Sequence, residues 1–174
     1  MATLITQVRS LAAVPTPKGY PTDTAVLFSP RDKVQAAIEL MLNSATVSLK
    51  VAMFALTDPA VNTILHTKAA LPAPFEFQMT LYSDEATTDL PMKAIVAGWA
   101  TDPRVVTGTS AKGDYSHLKV AVVDHEYIID GSTNFTLSGE EGEDNTIIVR
   151  KHAVLALWYE TQLDAIYAHM KAKT

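Results

Sequence analysis

The stretch His117-Leu-Lys-Val-Ala-Val-Val-Asp-His-Glu-Tyr-Ile-Ile-Asp-Gly-Ser-Thr-Asn134 decides how the chain is read. His117 to Val123 is a strongly apolar run rich in β-branched residues, and Glu126-Tyr-Ile-Ile129 is a second, so two strands are expected. Asp124 stands where the turn between them opens. Residues two apart in a strand share a face, which points His117 and Lys119 the same way; Ser132 and Asn134, past the second strand, are also two apart. With the two segments side by side, an imidazole, an ammonium, a hydroxyl and an amide converge on one small volume. The ammonium is a point charge suited to a phosphate oxygen, and the hydroxyl and amide can donate hydrogen bonds to the others. Imidazole can attack phosphorus and form a covalent intermediate. The set points to phosphoryl transfer.

Outward from this stretch, strands alternate with helices. Thr24 to Phe28 is β-rich. Ser29-Pro-Arg-Asp-Lys33 predicts a helix start, with Ser29 as N-cap and Pro30 at the first helical position, and Val34, Ala37, Ile38, Met41 and Leu42 continue at helical spacing. Thr46 to Phe54 predicts a strand, and Thr57-Asp-Pro59 opens a helix that ends by Pro72. Phe75 to Tyr82 predicts another strand, followed by a helix from about Asp89 to Trp99 and by Val105-Val106. Beyond Asn134, a strand over Asn145 to Val149 and a helix from Lys151 to about Lys171 close the chain. Alternation first and hairpin-like pairs later predict an α/β fold, a mixed sheet flanked by helices. Residues 1–22 carry Pro15, Pro17, Gly19 and Pro21 without sustained periodicity and are expected to be an arm or linker, leaving 23–174 as a single catalytic domain. The sequence has no internal repeat.

Taken singly, the residues of the central stretch have bland explanations: a strand-edge Lys, a turn-forming Asp, Ser and Asn, a surface His. Turn chemistry gives no reason for all of them at fixed separations. The pattern H-x-K-x4-D-x6-G-S-x-N resembles the HKD signature of the phospholipase D superfamily. Phe28-Ser-Pro30 and Val51-Ala-Met-Phe54 ahead of Leu56-Thr57 also look like that superfamily's opening βαβ unit. The likeness runs over about residues 24 to 170 and is greatest to the small bacterial endonucleases that carry one HKD motif per chain. It implies a metal-independent phosphodiesterase without cofactor, in which one His is the nucleophile and a second protonates the leaving oxygen. One set per chain then implies a homodimer with a shared site. By the same resemblance Lys119, Ser132 and Asn134 hold the phosphate and Asp124 braces the turn. A Glu-Asn pair that orients the imidazole in the related nucleases matches Asp144-Asn145 after a connection one residue shorter, with Glu143 as an alternative to Asp144.

Composition limits the partners. The 174 residues carry a net charge of −5, and from Ala111 onward six Lys/Arg face ten Asp/Glu, with Glu140, Glu141, Glu143 and Asp144 nearly contiguous. A protein that coats nucleic acid by charge alone shows the opposite balance, so phosphate recognition must be local. Cysteine is absent, which excludes a disulfide scaffold, a Cys zinc cluster and a thiol nucleophile. No apolar run reaches the length of a membrane span and no signal-peptide core is seen, so a cytoplasmic location is expected. Gly108 to Gly113 has P-loop glycine spacing, but Asp114 stands where Lys is needed. Asn134-Phe-Thr136 is a sequon by letters only, and His66 and Lys68 lack the Asp and GSxN that would complete a second motif. The substrate expected is nucleic acid. A phospholipid is the alternative substrate, and a non-hydrolysing phosphate or nucleic-acid binding module the alternative function.

Overall fold

A computed structural model describes residues 2–82 and 90–173. Its centre is a seven-stranded mixed sheet. In chain order the elements are α1 (Leu4–Arg9), β1 (Thr24–Ser29), α2 (Val34–Ser44), β2 (Ser48–Met53), α3 (Pro59–Ala69), β3 (Glu76–Tyr82), α4 (Leu90–Trp99), β4 (Val105–Gly108), β5 (Lys119–Val123), β6 (Tyr127–Gly131), β7 (Asn145–Lys151) and α5 (Ala153–Lys171). The strand order is β1-β7-β6-β5-β2-β3-β4. β2, β3 and β4 run parallel, joined by α3 and α4, while every other pairing is antiparallel. Crossover helices feed a parallel half and hairpins build an antiparallel half, the mixture expected from the sequence.

Two cores cover the two faces. The larger buries Val34, Ile38, Met41 and Leu42 of α2 and Val61 and Leu65 of α3 against Leu49, Val51, Ala121 and Ile129 of the sheet. The smaller sets Ala156 and Leu163 of α5 on Ala52, Val120, Val122 and Ile128. β5 therefore has both faces covered, which is why Lys119 to Val123 is buried throughout and reads as a continuous apolar run. No helix among the described residues is long and apolar enough to cross a membrane.

Three local expectations are corrected. Residues 4–9, expected within an arm or linker, form α1. Thr3 caps it, Ile5 and Val8 are buried in the larger core, and the Arg9 guanidinium donates to the carbonyls of Pro21 and Thr24. Ser29 and Pro30 do not begin α2. The buried Asp32 carboxylate accepts from the N–H groups of Phe28 (2.7 Å) and Ala13 (2.8 Å), folding this segment into a loop and delaying the helix to Val34. His117 lies just before β5 rather than inside it. Asp89, where the sequence starts α4, is outside the described residues.

Candidate active site

Register brings the motif together. Lys119 begins β5 opposite Met53, at the end of β2; Val120 faces Asp130 near the end of β6; Gly131 faces Ile147 near the start of β7; and Asn145 faces Ser29, the last residue of β1. The ends of these strands share one rim of the sheet, with His117 leading into it and Ser132 to Asn134 leading out. Gly131 is required by close approach: a Cβ there would lie 2.1 Å from the Thr146 carbonyl oxygen. Only glycine lets β6 and β7 come this near at the rim.

His117 packs its ring against Phe54, which follows β2, at 4.5 Å between centroids and 61°. Partial desolvation, and then the charge of Lys119, hold its pKa below the ordinary 6.5. Both effects favour the unprotonated imidazole, the form whose lone pair can attack. Lys119 is 7% exposed, its Nζ donating to the His117 carbonyl at 3.0 Å and lying 4.8 Å from the Phe54 ring centroid. Burial lowers its pKa. Among the described residues no carboxylate pairs with it. A desolvated cation with no counter-ion among the described residues, next to an imidazole whose neutral form is favoured, is an anion site with a nucleophile attached.

The hydroxyl of Ser132 donates to Asn145 Oδ1 (2.8 Å) and accepts from Thr146 N–H (3.0 Å). Asn134 Oδ1 is shut off from solvent with no hydrogen-bond partner among the described residues. The following loop is docked on the segment after β2: Phe135 N–H donates to the Ala55 carbonyl, and the Phe135 carbonyl accepts from Thr57 and Asp58 N–H. It then makes a wide π turn over Ser138–Gly142, closed by Glu143 N–H on the Ser138 carbonyl at 2.7 Å. Turns of this kind recur at functional sites.

Inside that turn two carboxyl groups are buried together. Asp58 is fully buried; it caps α3 by accepting from Ala60 N–H (2.6 Å) and Val61 N–H (3.3 Å), and it also accepts from Gln35 Nε2 (2.7 Å). Glu140 is 1% exposed, and no N–H or hydroxyl among the described residues reaches either of its oxygens. Burial, and then the neighbouring Asp58, push the Glu140 carboxyl up to about 10. Burial works against ionisation of Asp58 too, but its bonds from Glu140, Gln35 and the α3 N–H groups outweigh that and lower it. Glu140 therefore carries the proton that the pair shares. This coupling was missed in the sequence, where Glu140 reads as part of a solvated acidic loop.

Two acids of the expected set lie away from His117. Asp124 sits at the opposite end of β5 from Lys119, in a turn with Asp124 at φ 53° and His125 at φ 55°. Its carboxylate accepts from the N–H groups of Thr46, Val47 and Ser48 and from the Thr46 hydroxyl, at 2.7–3.1 Å. It ties the hairpin to the start of β2 at the end of the strand away from the rim, and these contacts are those of a brace. Asp144 is exposed along a groove with Phe28, Pro30 and Arg31 and makes no hydrogen bond to His117. Its neighbour Asn145 enters the cluster instead, accepting from Ser132 and donating Nδ2 to the Glu143 carboxylate (3.0 Å) and the Gly139 carbonyl (3.3 Å). Ser29 completes this corner, its Oγ 2.7 Å from the Glu143 carbonyl oxygen. Glu143 thus holds Asn145 rather than the imidazole.

Residues 38–167 match the family model described as cardiolipin synthase, PLD-like domain. The fold is similar to that of Nuc, a phospholipase D family member from Salmonella typhimurium, with a TM-score of 0.68 at 18% identity over 84% of this chain and 94% of that one. It is similar to NucT from Helicobacter pylori, with a TM-score of 0.64 at 16% identity over 82% of this chain and 94% of the other. A phosphatidylserine synthase from Haemophilus influenzae Rd KW20 matches with a TM-score of 0.60 at 12% identity, over 83% of this chain but 38% of its own. No curated protein matches the chain by sequence.

Proposed function

The chain belongs to the PLD-like domain family, and on that premise we propose that it is a phosphodiesterase, an endonuclease that cleaves nucleic acid without a metal through a phosphohistidine on His117. The observation that carries the reading is the buried Lys119 ammonium, without a carboxylate partner among the described residues, beside the imidazole of His117. Lys119 and the Asn134 amide hold the phosphate oxygens, and Ser132 shapes the cradle from its bond to Asn145. An imidazole nitrogen of His117 attacks phosphorus as the bond to the leaving oxygen breaks. A protonated His117 of a second copy gives that oxygen its proton. Water then attacks the phosphohistidine, passes a proton to the second imidazole, and releases the phosphate ester and free His117. Charge on the transferring group is met by fixed donors rather than by solvent.

The shared site follows from arithmetic: the chemistry uses two imidazoles and the chain supplies one HKD set. The description of the family model and the synthase likeness favour a second reading, a phospholipid substrate at the same site. Incubation with nucleic acids and with phospholipid vesicles, in excess EDTA, separates them. Cleavage of nucleic acid that survives EDTA and is inhibited by tungstate is expected. Vesicle hydrolysis alone would favour the second reading, and turnover only with Mg²⁺ or Mn²⁺ would remove the phosphohistidine route.

A further inference from the structure

A cavity of about 460 Å³ lies beside His117 and is used by none of the roles above. The segment leading into β5 forms one wall through Ser110, Tyr115 and Leu118, and the last turns of α5 form the other through Ile166 and His169. Among the described residues its lining carries no Asp, Glu, Lys or Arg, so the described walls offer a phosphate no cation. Two features suit it to a flat, neutral group with hydrogen-bonding edges. Tyr115 is 55% exposed and stands at 80° to Phe54 and 63° to Tyr82, in the ring cluster that also holds His117. On the opposite wall, His169 Nε2 is shut off from solvent without a hydrogen-bond partner among the described residues. A buried nitrogen left unpaired is costly, and a small turn of the ring toward the cavity would let a ligand edge satisfy it.

His117 forms part of the lining, so a group bonded to the phosphorus that His117 attacks lies within reach of the cavity. We infer that the cavity is the subsite for a nucleobase next to the scissile phosphate, stacked on Tyr115 and hydrogen-bonded by His169. The inference rests on the nuclease reading and narrows it. A base inside a duplex is held by pairing and stacking, so the substrate class is single-stranded nucleic acid, whose unstacked bases are available to aromatic side chains. The scarcity of basic residues fits the same conclusion: affinity comes from a ring and a pocket more than from a charged track.

The test compares a single-stranded thymidine oligomer with a matching oligomer of abasic tetrahydrofuran nucleotides, which keeps the phosphates and removes the bases. The wild-type chain should show a KM about five- to a hundredfold lower on the thymidine oligomer, the range for stacking one base. Tyr115→Ala should abolish that difference by raising KM for the thymidine oligomer, with kcat held within about twofold, because uniform binding is lost. Tyr115→Phe should keep it. His169→Leu should raise KM for the thymidine oligomer and leave the abasic one unchanged. Equal KM values for the two oligomers in the wild-type protein, or an equal shift of both by Tyr115→Ala, would overturn the subsite while leaving the nuclease reading standing. If neither oligomer is cut and phospholipid vesicles are hydrolysed, both readings fall.

Discussion

Replacing Asp124 separates bracing from catalysis. The carboxylate accepts three backbone N–H groups and one hydroxyl where β2 begins. A hydrogen bond to a charged group contributes about 1.5–3 kcal/mol, but water replaces part of the lost set at a half-exposed turn and the bonds are not additive. A total of about 2–4 kcal/mol is therefore expected for Asp124→Ala, including roughly 1 kcal/mol for alanine at φ 53°. Asp124→Asn is the sharper variant: asparagine tolerates that backbone and keeps one acceptor, so about half the loss should remain. For a chain of this size, Tm should drop by roughly 5–15 °C in the alanine variant. Burial disfavours the ionised Asp124, yet the N–H donors of Ser48, Val47 and Thr46 lower its pKa below 3.8 overall. The stabilisation is thus present above 3.8 and is lost as pH falls through the lower folded value, so the wild-type advantage should vanish in strong acid. Lys119 is five strand steps away, roughly 17 Å, and kcat of the folded variants at a permissive temperature should match wild type. Calorimetry paired with steady-state kinetics gives both readouts. A variant with unchanged Tm and turnover reduced tenfold or more would refute the bracing role.

Glu140→Gln should be tolerated within about 1 kcal/mol, because an amide mimics the protonated acid, whereas Glu140→Ala should cost about 2–4 kcal/mol by leaving a cavity and depriving Asp58 of its donor. Since the folded carboxyl lies at about 10 against 4.5 in the open chain, the wild type loses stability as pH rises between those values. The Gln variant should gain on it across that range in urea titrations. Gly131→Ala drives a Cβ into the Thr146 carbonyl; a loss of about 3 kcal/mol or more is expected, read as a lower urea midpoint. When wild-type and His117→Asn chains are co-refolded and pair at random, activity at an equal mix should be about one quarter of wild type rather than about one half.

The candidate cluster was legible because it sits on the simplest periodicity in the chain. His117 and Lys119 are two apart on the approach to a strand, and the GSxN set follows its hairpin partner; alternation together with the HKD resemblance made the cluster an expectation. What escaped the reading depends on contacts between segments far apart in sequence. α1 spans too few residues for a periodic signal, and burial of Ile5 and Val8 against the sheet is what makes it a helix. Ser29 and Pro30 have the letters of a helix start, yet Asp32 claims the backbone there and Ser29 turns to the Glu143 carbonyl. Asp144 lies exposed ahead of β7, and Asn145, one position on, is the residue bonded to Ser132. A one-residue slip reverses every side chain of a strand, and the width of the π turn sets which residue opens β7 facing Ser132. Loop length in the sequence does not reveal that width. Glu140 could not be read as buried, because only the docking of the loop onto Asp58 removes it from water.

The most direct test is to look for phosphorus on His117. Enzyme in excess over a labelled single-stranded oligonucleotide, in EDTA, is quenched in alkali during the first turnover and digested for mass spectrometry. A phosphodiester-linked fragment on the peptide containing His117, present in the wild type and absent from His117→Asn, is the result predicted here. Cleavage under these conditions with that peptide unmodified at every quench time would contradict it.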